Sequence, residues 1–414
     1  MRNLAHIEKV NDIKPIFLKE NNVEADAICL YRVLGWWVVG KKGEYSIGDN
    51  VVYIEIDSKV PATEDPNDYF YFLEKRNFKV KTMKLNKFYS SVMPEAVISQ
   101  GLLVPMDVVM QKVRWVKEPS EGTDVTDILK IEKIEDETKE IRIVDHSKQF
   151  YKKHSKFFKT KLGKWLMKKE WFRNFIKKIT TKKAPIKKFP SYITKTDETR
   201  VQALPKLFEQ LRDNKTVLQV AEKLDGTSST YGLRKNGRKF DFVVSSRNII
   251  QADERQKTWY SDASVNYYWE MAIKYNIEEL LKNLFVLLGA KDFVYLQGET
   301  IGPDIQSNKY HLKERKLYAF NLVVDGKKIN SLEARMDLLA AQKQMNISDE
   351  QAMSWVPILE ESYLLPDTIE ELMTYSTGKS VLYDTLREGI VLRDAENTVS
   401  FKAVSPEFLL KHKL

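Results

Sequence analysis

Cysteine is almost absent from this chain: Cys29 stands alone among 414 residues. An intrachain disulfide is therefore impossible, a cysteine-based metal site is nearly so, and a reducing compartment suits the protein. Histidine is scarce as well. His6, His146, His154, His311 and His412 have no metal-ligand spacing, which argues against a histidine zinc site. Long apolar runs are missing. LFVLLGA at 284–290 is broken by Lys291 and Asp292, and the opening MRNLAHIEKVND has no apolar stretch of the signal-peptide kind. These absences predict an intracellular protein (cytoplasmic or nuclear) with no secretion signal and no membrane partner. Acids are lacking in one place: residues 151–190 hold fourteen lysines and Arg173 against Glu170, a local excess larger than the whole chain's formal net charge of +9. A cationic stretch of that density points to a polyanion, phosphate backbones first.

What remains is the composition of a soluble globular protein, 43% hydrophobic and 30% charged, long enough for two domains. Residues 1–125 read as β-rich. CLYRVLGWWVVG (29–40) and GDNVVYIEIDSKVP (48–61) are dense in Val, Tyr, Trp and Ile and bounded by Gly, Asp and Pro, with FKVKTMKLNK (78–87) and SQGLLVP (99–105) continuing the pattern. Several short strands in that length suit a small barrel of the OB type, a common nucleic-acid binder. Lys79, Lys81, Lys84 and Lys87 would form a basic rim for RNA, or ordinary surface charge. Trp36, Trp37 and Tyr45 are candidate stacking platforms, although adjacent strand residues face opposite ways and one Trp of the pair is expected in the core.

Residues 126–185 read as a charged linker followed by a lysine-rich amphipathic segment. Apolar residues from Phe158 to Ile179 recur at spacings of three and four, which predicts a helix over 156–179. Its apolar stripe would pack on the protein while its lysines meet RNA or solvent; a membrane-surface helix and a partner-binding helix are the alternatives. From 186 to 414 strands and helices mix, with VLQVAEKLDG, FDFVVSSRN, DFVYLQGE, KLYAFNLVV, REGIVLRD and TVSFKAV as strands and 331–345 and 367–376 as helices. The class is α+β with mainly antiparallel sheets and flanking helices.

The chemistry gathers around Lys223-Leu224-Asp225-Gly226. A lone KxDG occurs by chance too often to carry weight. Here it is followed in order by Ser246-Arg247-Asn248, by Gly298-Glu299 with Gly302-Pro303 and Ile305-Gln306, by Tyr318-Ala319-Phe320-Asn321, by Glu388-Gly389-Ile390-Val391-Leu392, and by Phe401-Lys402. A lysine is a poor nucleophile at neutral pH, being protonated with an ordinary pKa near 10.4, and desolvation or a nearby cation would free its lone pair. On a strand, Lys223 and Asp225 share a face, so amine and carboxylate can enter one cleft.

This ordered set resembles the covalent nucleotidyltransferases, which include polynucleotide ligases and mRNA capping enzymes. Ser228 stands where DNA ligases and capping enzymes commonly carry arginine, and the barrel-like module precedes the motifs, with twelve residues left beyond Lys402. Both features resemble ATP-dependent RNA ligases with an N-terminal OB domain. The resemblance implies ATP and Mg²⁺ (or Mn²⁺) as cofactors and Lys223 as the residue that carries AMP. It implies Glu222, Gly226, Arg247, Glu299, Phe320, Glu388 and Lys402 around the nucleotide, with Phe320 stacked on the purine. Asp225, Glu299 and Glu388 would hold the metal through water, and Arg247 and Gln306 would touch RNA. The expected partner is RNA with 5′-phosphate and 3′-hydroxyl ends, nicks included, bound by a monomer. Some related ligases have a second lysine two residues from the last; here Ser400 and Val404 occupy those places, leaving Lys411 or Lys413 as substitutes. A DNA ligase, a capping guanylyltransferase or an inactive RNA-binding relative are the rival readings.

Overall fold

The computed structural model describes residues 3–85, 89–90, 98–113, 119–134, 141–145, 150–151, 153–185, 189–196, 198–251 and 266–412. Lys87 and Lys413 lie outside the described residues.

The front of the chain forms an antiparallel sheet around a long strand, β1 (Ala5–Leu18). It pairs with β2 (Glu24–Val33) and β4 (Asn50–Ile54), while β3 (Trp36–Lys41) extends the β2 side and β5 (Leu102–Val104) the β4 side. The central strand has no clean polar–apolar alternation. Irregular pairing between Val10 and Asp12 and between Pro15 and Phe17 shifts its register, which erases the period-two signal. Both sheet faces are covered: Ile7, Val52 and Ile54 lie in one core and Val10, Tyr31 and Tyr53 in another. Trp36, Trp37 and Tyr45 are all buried, so none is an exposed stacking platform. Arg200 lies over the Trp36 ring, and Lys14 and Arg32 over that of Trp37.

His6 on β1 is buried between two acids, with Nδ1 2.7 Å from Glu8 and Nε2 3.8 Å from Glu55. Burial alone would push the imidazole down, but the hydrogen bonds and charges of Glu55 and Glu8 outweigh it and raise its pKa to about 9. A pKa raised on folding stabilises fully below the unfolded value near 6.5, and the gain is lost as pH rises through about 9. We expect thermal stability of the front sheet to fall over that window by up to about 3 kcal/mol. Thermal melts from pH 6 to 10 test this: His6→Gln should flatten the slope, and an unchanged slope would remove His6 as its source.

Between the sheets lies a helical excursion closed by a ladder. Strands β6 (Ile141–Asp145) and β7 (Thr181–Pro185) pair antiparallel with Asp145 opposite Thr181. The helix expected over 156–179 is three helices: α1 (Ser155–Phe158), α2 (Lys161–Lys168) and α3 (Glu170–Thr180). The breaks are local. The Thr160 side chain accepts from Gly163 N at 3.1 Å as an N-cap, and Lys169 is extended.

Two sheets build the rest. The first holds β8 (Thr199–Arg200), β16 (Ser400–Val404), β15 (Gly389–Asp394), β9 (Leu218–Lys223) and β14 (Ile358–Tyr363), in that order. The second is centred on β10 (Thr227–Asn236), β11 (Lys239–Ser246), β12 (Phe293–Ile301) and β13 (Lys316–Val324). Pairing is antiparallel except at β8–β16 and at Tyr318–Ser354. Helices α4 (Tyr267–Lys274), α5 (Ile277–Leu287) and α6 (Ser331–Gln344) contribute to the core of the second sheet. Helix α7 (Ile369–Ser376) packs on the first, and α8 (Pro406–His412) follows β16. The front module docks on the first sheet through Gly35 N to Gln202 O at 2.8 Å and the Arg32–Glu370 ion pair at 2.6 Å.

Candidate active site

The chain passes from one catalytic sheet to the other at Leu224–Gly226, and that crossing makes the site. Strand β9 ends on Lys223, opposite Gly389 of β15, which places Glu388 beside the lysine amine. Lys223 Nζ donates to Glu388 Oε2 at 2.5 Å. The next strand, β10, runs beside β12 with Ser228 opposite Glu299. A cleft of about 560 Å³ opens between the sheets. That is the scale of a small-molecule site, which typically spans about 300–1,000 Å³. Its lining includes Glu222, Lys223, Asp225, Gly226, Arg247, Glu299, Gln306, Phe320, Glu388 and Lys402. Residues from 222 to 402 of the sequence-predicted set thus meet in one space. Lys79, Lys81 and Lys84 lie elsewhere, on the front module.

The chain's own groups favour the charged form of Lys223, which leaves the freeing of its lone pair to a nearby cation. Burial works against the ammonium, but the carboxylates of Glu388, Glu299 and Asp225 outweigh it, and the pKa is raised. Its side chain keeps a quarter of its exposure, so the amine sits at the cleft floor rather than sealed inside. Glu299 moves the other way from an ordinary acid: burial first, then the repulsion of Glu388 and Asp225, push its carboxyl up to about 8 despite the pull of Lys223. The site therefore holds more buried acid than its own lysine neutralises. That excess is what a cation would relieve. Among the described residues no three acids, histidines or cysteines converge closely enough to ligate one ion directly. The donor set therefore suits a hydrated metal held through its water, as Mg²⁺ commonly is, rather than a direct carboxylate cage.

Glu222, next to the lysine, is buried. Its Oε2 accepts from Val381 N at 3.0 Å, while Oε1 has no hydrogen-bond partner. Burial raises its pKa. A buried acceptor without a donor is costly unless a ligand supplies one.

Motif reading missed three residues here: Arg393 lines the cleft, while Lys309 and Tyr310 hold Asp225. Lys309 forms an ion pair with Asp225, with Nζ 5.0 Å from the centre of the Phe408 ring. Tyr310 accepts from Asp225 N at 2.7 Å. Arg393 donates to Phe320 O at 2.9 Å and pairs with Glu198 at 3.2 Å. Opposite Arg393 across the β15–β16 ladder is Ser400, where a second lysine was looked for. Lys411, the suggested substitute, sits on α8 and is not among the cleft-lining residues. Lys84 also departs from the basic-rim expectation, since it bonds the Leu409 carbonyl at the end of α8.

Comparison with known proteins decides between the readings. The RNA ligase family model matches residues 216–411, and an OB-fold domain model matches 4–106. Residues 216–411 belong to the RNA ligase family. No curated protein matches it. Among solved structures the ligase is similar to a Naegleria gruberi RNA ligase mutant in its apo form, at 27% identity and TM-score 0.68, covering 100% of this chain and 99% of that one. A mutant of the same enzyme with AMP and Mn matches at 27% identity and TM-score 0.68, and the enzyme with PPi at 27% and 0.67, both over 100% of this chain and 99% of theirs. The ligase thus has an N-terminal OB fold followed by mainly antiparallel sheets with helices, as the strand pattern predicted.

Proposed function

We propose that the protein is an ATP-dependent RNA ligase that joins 5′-phosphate and 3′-hydroxyl RNA ends, nicks included, through AMP carried on Lys223. The observation that carries this reading is the cleft itself. One lysine lies among Glu388, Glu299 and Asp225, beside an unpartnered buried acceptor on Glu222. The Naegleria enzyme has been solved with ATP and Mn, with AMP and Mn, and with PPi, the reactants and by-product of such a step.

In this reading the adenine amine donates to Glu222 Oε1 while Phe320, held by Arg393 through its carbonyl, stacks on the ring. Lys402 and Arg247 meet the phosphates. A divalent cation, Mg²⁺ or Mn²⁺, held through water by Asp225, Glu299 and Glu388, would offset the carboxylates, lower the Lys223 pKa and stabilise charge on the α-phosphate. Lys223 gives up its proton along the Glu388 hydrogen bond, and its nitrogen attacks the α-phosphorus. The bond to pyrophosphate breaks as the N–P bond forms. A 5′-phosphate oxygen then attacks the AMP phosphorus and releases the lysine nitrogen, and a 3′-hydroxyl attacks the activated phosphate and expels AMP.

The units would be 1–125 for RNA, 126–185 as the basic connector and 186–414 for adenylation, acting as an intracellular monomer. Lys79, Lys81, Arg247 and Gln306 are the proposed RNA contacts; Lys84 is engaged at α8.

The test is labelling with α-³²P ATP and GTP, followed by sealing of nicked duplexes whose 3′-hydroxyl strand is RNA or DNA. ATP should label the chain and RNA nicks should close. Labelling by GTP alone would make it a guanylyltransferase, and closure of DNA nicks alone a DNA ligase. Glu222→Leu keeps the side-chain bulk and removes the acceptor. We expect the KM for ATP to rise about 10–100-fold, the value of one hydrogen bond to a charged group. An unchanged KM would take Glu222 out of base recognition.

A further inference from the structure

The excursion between β6 and β7 carries a surface that neither the fold nor the catalytic cleft uses. On α3, Phe172, Ile176 and Thr180 form the row that turns inward, with Ile176 and Thr180 buried. The adjacent row, Trp171, Phe175 and Ile179 at spacings of four, stands in solvent, with Trp171 61% exposed. On α2, Leu162 and Trp165 are likewise exposed, Trp165 by 53%. The expectation that this stripe packs on the protein therefore holds for only part of its arc. Around the exposed rows, nine lysines and Arg173 face solvent between 153 and 178, with Glu170 as the one acid. Lys169 Nζ lies 5.2 Å from the centre of the Trp165 ring.

We propose that this helical excursion docks on an anionic lipid surface, lying in the headgroup layer with Trp165, Trp171, Phe175 and Ile179 inserted and the lysines on the lipid phosphates and carboxylates. Three observations select that occupant. The positive charge excludes a second copy of the chain, since two such faces would repel. An RNA backbone would satisfy the lysines but leave Leu162 and Ile179, which have no π-face, in water. A lipid interface accepts both parts at once: apolar side chains enter the acyl boundary while long lysines reach the headgroups. No described helix is long and apolar enough to cross a membrane, so the contact is peripheral.

The placement suits such a role. Asp145 and Thr181 are paired neighbours, so the excursion leaves and returns at one point and its contacts need not disturb the cleft. Docking would hold an RNA-sealing enzyme at a membrane surface while its active site stays in water.

The experiment uses the full chain with vesicles of phosphatidylcholine alone, and with about 30 mol% phosphatidylserine, read by co-flotation and tryptophan emission. The protein should float with the anionic vesicles, with blue-shifted emission, and dissociate in about 0.5 M salt. The triple variant Trp171→Ser, Phe175→Ser, Ile179→Ser should weaken anionic-vesicle binding at least about tenfold. So should a variant in which a short turn joins Asp145 to Thr181. The triple variant should keep wild-type circular dichroism, the shortened variant should lose only the helical signal of α1, α2 and α3, and both should keep ATP labelling, which serve as controls for folding. Failure to float with phosphatidylserine, equal binding to phosphatidylcholine alone, or undiminished binding by the triple variant would each overturn the proposal. Loss of affinity for a single-stranded RNA oligonucleotide with vesicle binding unchanged would reassign the surface to RNA.

Discussion

Lys223→Ala is expected to abolish covalent capture of AMP, a loss of at least about 10⁴-fold in labelling, because it removes the amine proposed to carry the nucleotide. RNA binding by the front module should persist. The substitution also has an electrostatic consequence. It leaves Glu388, Glu299 and Asp225 crowded without their lysine, and removing one partner of a largely buried pair costs about 3 kcal/mol. That cost needs ionised acids, and with the Glu299 carboxyl pushed up to about 8 the deficit relative to wild type should grow as pH rises through that value and shrink as pH falls below it. Labelling assays and thermal melts at pH 5 and 8 check both halves. A variant that still becomes labelled would refute the assignment of the nucleophile. A deficit that does not change with pH would refute the account of its charge.

Gly226→Ala should come next in size. A Cβ at that position would lie 2.3 Å from Thr300 O, 2.7 Å from Ile301 Cγ2 and 3.0 Å from Glu299 Cγ. The nearest obstacle is a backbone oxygen, and Thr227 is pinned opposite Thr300, so the crossing cannot step aside. Either β10 parts from β12 or Glu299 is displaced from the lysine. An ångström of misplacement at reacting groups costs about 10²-fold, and forced overpacking about 1–3 kcal/mol. We expect labelling to fall by at least that factor, with a lowered melting temperature. Labelling at the wild-type rate would mean that the Gly226–Glu299 contact does not govern the site.

Much of the second half was legible in sequence because its strands are short, apolar and cleanly bounded. Lys316–Val324 is the quoted run KLYAFNLVV, and the helices at 331–344 and 369–376 fall within two residues of expectation. The central strand of the front sheet was not legible, since its bulges break the alternation that reveals a strand. Periodicity also could not divide the apolar arc at 156–179 into a covered row and an exposed one. Both rows have the same spacing, and only neighbours distinguish them. Trp36 and Trp37 invert that case: alternation assigns one to each face, but both faces of this sheet are packed.

The order of the motifs from Lys223 to Lys402 determined by itself which residues could form a nucleotide-transferring cleft, because the required side-chain types are local properties of the chain. Tertiary structure alone decided their electrostatic state. Glu388, Glu299 and Asp225, from separate strands and turns, raise the pKa of one amine, Lys309 comes from a distant loop to claim Asp225, and Arg393 stands opposite the serine where a lysine was sought. Those facts depend on distance and burial between residues far apart in sequence, and Coulomb energy and desolvation are set by that geometry rather than by composition.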